Sequence, residues 1–227
     1  ELDWVCEPGS RYDVGDFLCP SRAWLFRITH VENLAWILDH GLHCRSSTER
    51  DADFREIGQR ELIARRARRA VPIEPFGTLA DYVPFYFTPW SPMQMNVTTG
   101  HAGTPRTLPR EVAILVTSMY RLDAHGDTVL VTDRHAYLRA ARFTSGLPGL
   151  AGVDWDLLRR RDFQRAEEDP GKLERYHAEA LVHRHLPIDR LAGIAVRDCV
   201  VEARIQTLLQ RRGLSIKLAT KPDWYFR

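Results

Sequence analysis

Short apolar runs alternate along this chain with segments of helical spacing. Leu34, Ile37 and Leu38 recur on one helix face and Gly41 follows as a natural end, so a helix is expected at 32–40. Strand formers predict strands at Trp24–His30, at 82–88 and in EVAILVTS, TVLVTD, AEALV, LAGIAVRD and LSIKLAT. Further helices are predicted at 60–69, 137–143, 154–162 and 202–212, with a short helix or turn before AEALV. This alternation predicts an α+β fold with a mostly antiparallel or split central sheet flanked by helices.

Chain length and composition favour one large domain. The 227 residues are 44% hydrophobic, and no segment reads as a flexible linker. Residues 1–22 have little periodicity and several turn formers, so they are expected to form an irregular arm on a domain at 23–227. No apolar run approaches the ~20 residues of a membrane span, and no signal peptide is visible. The sequence therefore predicts a soluble, cytoplasmic monomer without a membrane partner.

The four cysteines, Cys6, Cys19, Cys44 and Cys199, show no CxxC spacing, and no histidine pair has zinc-ligand spacing. Neither a disulfide framework nor a metal site is predicted. A Cys6–Cys19 disulfide stays open as an alternative to a reduced, cytosolic chain.

A cluster of arginines leads into an aromatic segment. Residues 60–69 hold five arginines and one acid, Glu61, and DYVPFYFTPWSPM follows shortly after. The formal net charge is only +2, so affinity for a polyanion has to come from local clustering. Arginine pairs with phosphate and aromatic rings stack on bases, which favours single-stranded nucleic acid or a dinucleotide as ligand. The alternative is a solvated helix followed by a buried strand.

Three places could carry chemistry. Thr29 and His30 lie at a strand-to-helix junction able to hold a phosphate or ribose, although most histidines are surface or satisfied core residues. Glu179 has apolar neighbours on a predicted strand, where a carboxylate needs partners or a task, yet alternation equally permits it to face solvent. The segment TDRH, ending at His135, could bind a substrate or cap a turn. P-loop, GxGxxG, GxSxG and HExxH motifs are absent from the sequence.

Several of these segments occur in the order typical of a known family: RITHVENLAWILDHGL, the arginine helix, DYVPFYFTPWSPM, VTDRH, AEALV and KPDWYF. From about Leu25 to Phe226 the chain resembles DarT, the DNA ADP-ribosyltransferase toxins of DarT–DarG toxin–antitoxin systems. The resemblance implies an ADP-ribosyltransferase fold that binds NAD and transfers ADP-ribose to a base in single-stranded DNA, typically thymine, with release of nicotinamide. It implies no metal, and a DarG-like macrodomain antitoxin as partner.

The resemblance also assigns residues. It makes Glu179 the catalytic acid, because a carboxylate stabilises the oxocarbenium-like ribose. Arg66, with Arg65 as the alternative register, would position NAD and the target base. The remaining assignments are Arg27, Thr29, His30 and Gly41 for NAD and Tyr86, Trp90, Met93, His135 and Arg175 for DNA.

Two departures from the family's pattern affect the expected acceptor. Trp90 stands where relatives commonly have arginine, and Arg27 where histidine can occur, so base stacking could replace a phosphate contact. The charged loop before Glu179, from about Arg159 to Arg175, is expected to be mobile unless DNA orders it. The alternatives are therefore the same chemistry on guanine or RNA, or a nucleic-acid-binding protein that has lost catalysis.

Overall fold

The computed structural model describes Trp4 and residues 18–226, and within this part the centre of the fold is an eight-stranded sheet. Its order is β10-β9-β4-β1-β3-β7-β5-β6. The strands are β1 Trp24–His30, β3 Tyr82–Tyr86, β4 Val112–Ser118, β5 Val129–Thr132, β6 Phe143–Ser145, β7 Glu179–His183, β9 Gly193–Val196 and β10 Lys217–Thr220. A small second sheet pairs β2 Leu42–His43 with β8 His185–Leu186.

The large sheet is divided between β1 and β3. β1 pairs along its whole length with β4, whereas its described pairing with β3 is the single register pair Phe26↔Tyr86. Among the described strands only β9 and β10 run parallel. The prediction of an α+β fold with a split, mostly antiparallel sheet is confirmed.

Seven α-helices flank the sheet in the described ranges: α1 Leu34–His40, α2 Arg60–Arg66, α3 Pro92–Thr99, α4 Met119–Ala124, α5 Trp155–Arg160, α6 Lys172–Arg175 and α7 Cys199–Arg211. Gly41 ends α1 at φ +78°, where a Cβ would lie 2.4 Å from the Leu186 carbonyl oxygen. A side chain is therefore excluded at this helix end.

Not every predicted element is present. The helix expected at 137–143 is wrong, because Phe143 begins β6 and pairs with Thr132. The carboxylate of Asp133 accepts a hydrogen bond from the Arg142 amide at 2.9 Å, which closes the preceding residues into a turn. The arginine helix also ends at Arg66, three residues earlier than expected.

The two faces of the sheet bury different side chains. Val83, Phe85, Ala180 and Val182 belong to the large core. The opposite face of β3, β5 and β7 carries a smaller apolar cluster, which includes Leu181. Glu179 shares the face of Leu181, because alternate residues of a strand point the same way.

The predicted arm falls mostly on residues 1–17, of which only Trp4 is described. Its indole is buried and donates a hydrogen bond to the Ala192 carbonyl at 3.2 Å. Cys6, and with it the possible Cys6–Cys19 disulfide, lies outside the described residues. The division at residue 22 stays a prediction. In residues 18–226 there is no helix of the length and apolar character that crossing a membrane requires.

Candidate active site

A cavity of about 190 Å³ opens beside the seam between β1 and β3. Its walls come from β1, from the segment 43–59, from α2, from β3 and from α3. His135 and His177 complete the lining next to the start of β7. Residues distant in sequence therefore meet where the sheet is split.

Glu179, the first residue of β7, is fully buried and receives several hydrogen bonds. Both terminal nitrogens of Arg66 donate to its carboxylate, at 2.8 and 2.6 Å, and the Ala136 amide donates at 3.0 Å. Burial alone would raise the pKa of Glu179, but the charge and hydrogen bonds of Arg66, with smaller contributions from His135 and the Ala136 amide, lower it to about 2. The carboxylate is thus ionised at neutral pH.

Helix geometry separates the two neighbouring arginines. Arg66 is the last residue of α2 and reaches into the site, and although burial opposes it, Glu179 raises its pKa above the ordinary value. Arg65 points away and pairs with the exposed carboxylate of Glu61. The structure thus places Arg66, and not Arg65, at the cavity.

Two histidines stand beside this pair. The Nδ1 atom of His135 accepts a hydrogen bond from the Tyr137 amide at 3.2 Å, so the imidazole is neutral with its proton on Nε2. The His177 ring lies 5.1 Å from the His135 ring. Burial, and then His135, lower the pKa of His177 to about 3, and burial lowers that of His135. Both rings are therefore hydrogen-bonding groups and not charges at neutral pH.

The first strand contributes two polar residues to the cavity. Arg27 is half-buried, and its guanidinium donates to the Pro84 carbonyl of β3 at 2.9 Å, which bridges the seam. Its Nε atom has no hydrogen-bond partner within the described chain. Burial lowers the pKa of Arg27. Thr29 is buried and accepts a hydrogen bond from Asn33 at 3.0 Å.

His30 and Gly41 are not among the described residues that line the cavity. The imidazole of His30 instead caps the turn Val31–Asn33 by accepting from the Glu32 amide at 3.2 Å. Gly41 ends α1 against β8. These positions do not fit the direct NAD contacts expected for the two residues, because His30 caps a turn and Gly41 ends a helix.

Asn33 is a site residue that sequence reasoning missed. It is buried, and its amide group exchanges two hydrogen bonds with the Arg55 backbone, at 3.0 and 2.8 Å. A Glu32–Arg55 ion pair at 2.6 Å adds to this attachment. The clamp holds segment 54–59 against the end of β1, where it forms one wall of the cavity.

The residues expected to contact DNA divide into two groups. Tyr86 and Met93 line the cavity, and the Tyr86 hydroxyl donates to the Met93 sulfur at 3.5 Å. Trp90 is only 5% exposed, its Nε1 donates to the Asp223 carbonyl at 2.8 Å, and Arg161 lies 3.9 Å above its ring. The expectation that Trp90 offers a face to a base does not fit this burial.

Arg175 is likewise engaged within the protein. It forms ion pairs with Asp154 at 3.0 Å and with Asp169 at 2.5 Å. Lys172 pairs with Asp162 at 2.5 Å, so the loop before Glu179 is fastened to α5 and α6. The prediction of a mobile loop did not include these ion pairs, in which opposite charges of the loop and its flanking helices are matched to one another.

Signals for the missed residues exist in hindsight. His177 lies two positions before Glu179, in the turn that leads into β7. Asn33 follows the strand–helix junction at His30, where an amide can bond a neighbouring backbone. Within the described residues no group of three or more potential metal ligands is assembled.

The split sheet, with a buried carboxylate and arginine at the seam beside a cavity, defines the class of ADP-ribosyltransferases. The family model DarT, described as ssDNA thymidine ADP-ribosyltransferase, matches residues 26–226. The chain belongs to the DarT family. A DNA ADP-ribosyl transferase of Escherichia coli O127:H6 is 42% identical over 215 residues, which span 95% of this chain and 99% of that protein.

Solved structures agree with this assignment. Thermus sp. 2.9 DarT in complex with ADP-ribosylated ssDNA superposes with a TM-score of 0.84 at 30% identity, covering 91% of this chain and 98% of that one. The same protein in complex with NAD+ gives a TM-score of 0.78 at 29% identity, covering 90% and 98%.

Proposed function

We propose that this protein cleaves NAD at the ribose–nicotinamide bond and transfers ADP-ribose to a thymine base in single-stranded DNA. The observation that carries the proposal is the fully buried carboxylate of Glu179, which is bound by Arg66, a residue that lines the cavity. Membership of a family described by this activity supports it, as do the NAD+ and ADP-ribosylated ssDNA complexes of the Thermus relative.

Glu179 would stabilise the charge that develops during this reaction. As the bond from the ribose C1′ atom to nicotinamide breaks, the ribose gains positive charge and nicotinamide leaves with the bonding electrons. A carboxylate with a pKa of about 2 is already ionised, and a buried negative charge acts strongly on a cation nearby. The thymine nitrogen then bonds to C1′ as its N–H bond breaks, and the proton passes to water. Arg66 fixes the carboxylate by two hydrogen bonds.

The donor is proposed to bind along β1 and the segment 54–59. The unpartnered Nε atom of Arg27 and the hydroxyl of Thr29 are polar groups suited to phosphate or ribose oxygens. His30 and Gly41 would act through the backbone they organise. This division gives the donor one wall of the cavity and leaves the histidine side to the acceptor.

The acceptor base is proposed to meet Tyr86, Met93 and His135, which line the cavity near Glu179. A neutral imidazole with a proton on Nε2 can donate to a base carbonyl oxygen. Trp90, which contacts Arg161, and Arg175 would act on the shape of the charged loop before Glu179 instead of touching the base.

Two alternatives were open from the sequence. A change of acceptor to guanine or RNA rested on Trp90 as a stacking residue and on the charged loop before Glu179, and the burial of Trp90 removes the first of these supports. A binding protein without catalysis would have no need for a buried, ionised carboxylate, which is costly to maintain. The DarG-like antitoxin, the monomeric state and the cytoplasmic location stay predictions.

The decisive experiment incubates the protein and NAD with mixed-sequence pools of single-stranded DNA and RNA and measures intact masses. We expect one ADP-ribose on thymine-containing DNA and free nicotinamide in equal amount. Glu179→Gln should abolish both products, whereas Glu61→Gln, a matched change at an exposed carboxylate, should retain them. Modification of RNA alone, or of guanine alone, would overturn the proposal.

A further inference from the structure

Phe76 combines exposure with an uncommon backbone conformation. Its side chain is 52% exposed, and its φ is +62°. A bulky residue at positive φ costs free energy that the surrounding structure has to offset. An exposed apolar ring held in that way contributes little to a core, so its position calls for another explanation.

The ring stands at the tip of a hairpin formed by residues 70–78. Ala70 and Thr78 form an antiparallel bridge, and the Val71 amide donates to the Gly77 carbonyl at 2.9 Å. The hydroxyl of Tyr82 donates to the Phe76 carbonyl at 2.7 Å. Phe76 is therefore presented by an anchored backbone.

The hairpin lies on the catalytic face of the sheet. Tyr82 pairs with His183, and Tyr86 pairs with Glu179, so the Tyr82 and Glu179 side chains share a face. Four residues of strand separate these pairs, about 13 Å, or roughly four stacked nucleotides of a single strand. The hairpin is thus within reach of a DNA strand whose target base is at Glu179.

Four arginines belong to the two segments next to the hairpin, two just before it in the chain and two in the turn after Leu138: Arg68, Arg69, Arg139 and Arg142, here called the arginine patch. None of them pairs with an acidic side chain in the part of the chain that the structure describes. Arg69 donates to the Leu138 carbonyl at 3.4 Å, which joins the hairpin to the turn carrying Arg139 and Arg142. The patch is a local positive charge on a nearly neutral chain.

We propose that the 70–78 hairpin and the arginine patch bind the nucleotides that flank the modified base, with Phe76 stacked on one base and the arginines on phosphates. This rests on the proposed function and deepens it. Single-stranded DNA fits because its bases offer free faces, which a duplex hides. The charge of the patch complements the phosphate backbone.

The test compares two oligonucleotides with the same modified site, one of about four and one of about sixteen nucleotides, the latter long enough to reach the hairpin. The measurements are kcat/KM at saturating NAD, and fluorescence anisotropy of the long oligonucleotide. Phe76→Ala should lower kcat/KM for the long oligonucleotide roughly tenfold and leave that of the short one unchanged. Phe76→Tyr should retain the higher kcat/KM for the long oligonucleotide over the short one, and Phe76→Leu should lose this preference.

Matched changes elsewhere provide the controls. Leu108→Ala removes another exposed apolar side chain, and Arg211→Gln an exposed arginine of α7; neither should alter the preference for the long oligonucleotide. Arg139→Gln should reduce the salt dependence of binding, with a slope smaller by about 0.7 for the lost phosphate contact.

The possible outcomes separate this proposal from the reaction itself. If Phe76→Ala lowers kcat/KM equally for both oligonucleotides, or for neither, the hairpin does not bind flanking DNA. If the unaltered protein modifies no DNA, the proposed function fails. The anisotropy measurement still tests whether the hairpin binds DNA, because an unchanged affinity of Phe76→Ala for the long oligonucleotide would overturn that proposal. Tighter binding of an RNA of the same sequence would exclude DNA as the occupant.

Discussion

The pairing of Arg66 with Glu179 predicts a large and pH-dependent stability effect. Replacement of Arg66 by Met leaves a buried carboxylate without its counter-charge. In the native chain the pKa of Glu179 falls from an ordinary 4.5 to about 2. At about 1.4 kcal/mol per pKa unit, this corresponds to roughly 3 kcal/mol of stabilisation at neutral pH. Breaking a buried ion pair costs a similar 3–5 kcal/mol, roughly.

The sign of the pH dependence differs between the two proteins. In the native chain the lowered pKa stabilises the fold above about pH 4.5, and this contribution is lost as the pH falls towards about 2. In Arg66→Met burial dominates and raises the pKa of Glu179 above its unfolded value. The loss of unfolding free energy in Arg66→Met is then largest at high pH, and it becomes smaller as the pH falls and the carboxyl of Glu179 is protonated.

Urea unfolding, followed by tryptophan fluorescence at pH 7 and at pH 5, measures these quantities. We expect Arg66→Met to lose about 3 kcal/mol at pH 7 and less at pH 5, and Arg66→Met/Glu179→Gln to recover most of the loss. Arg65→Met, which breaks only an exposed pair, should change stability by less than about 0.5 kcal/mol. A loss at Arg66→Met that is small, or equal at both pH values, would refute the reasoning.

Three further changes test other contacts. Asn33→Ala should raise KM for NAD more than it lowers kcat, because segment 54–59 loses its clamp; an unchanged KM would contradict this. Trp90→Phe removes the indole hydrogen bond and should cost about 1 kcal/mol in urea unfolding without altering acceptor preference; a switch of modified base would restore Trp90 as a contact residue. Gly193→Ala places a Cβ 2.0 Å from the Trp4 indole and 2.7 Å from the Lys217 carbonyl oxygen and should destabilise the fold, whereas an unchanged urea midpoint would show that both Trp4 and β10 can shift.

The sequence and the structure agree where a local pattern determines the outcome. Helical spacing with a final glycine predicted the end of α1 at Gly41, since only the backbone conformation of that residue matters there. The alternation of side chains along β7 could not decide whether Glu179 faces solvent or the interior. That choice follows from the pairing of Glu179 with Tyr86, a long-range fact that no local pattern contains.

Tertiary contacts also explain the expectations that do not fit. The aromatic sequence around Trp90 predicts an exposed ring, but its indole donates a hydrogen bond to the carbonyl of Asp223, far along the chain. The turn at 137–142 has apolar residues at helical spacing, yet pairing of β6 with β5 takes the chain away from a helix. The sequence alone does not distinguish Arg65 from Arg66. The orientation of α2 relative to β7 decides which of the two reaches Glu179.

The single register pair at the seam also has a mechanical consequence. Arg27 and Thr29 belong to the half-sheet of β1, β4, β9 and β10, whereas Tyr86 and Glu179 belong to the half-sheet of β3, β5, β6 and β7. A relative rotation of the halves would change the distance between bound donor and acid without unfolding either one. The guanidinium of Arg27, which donates to the Pro84 carbonyl, is a side-chain link between the two halves and would resist such a rotation.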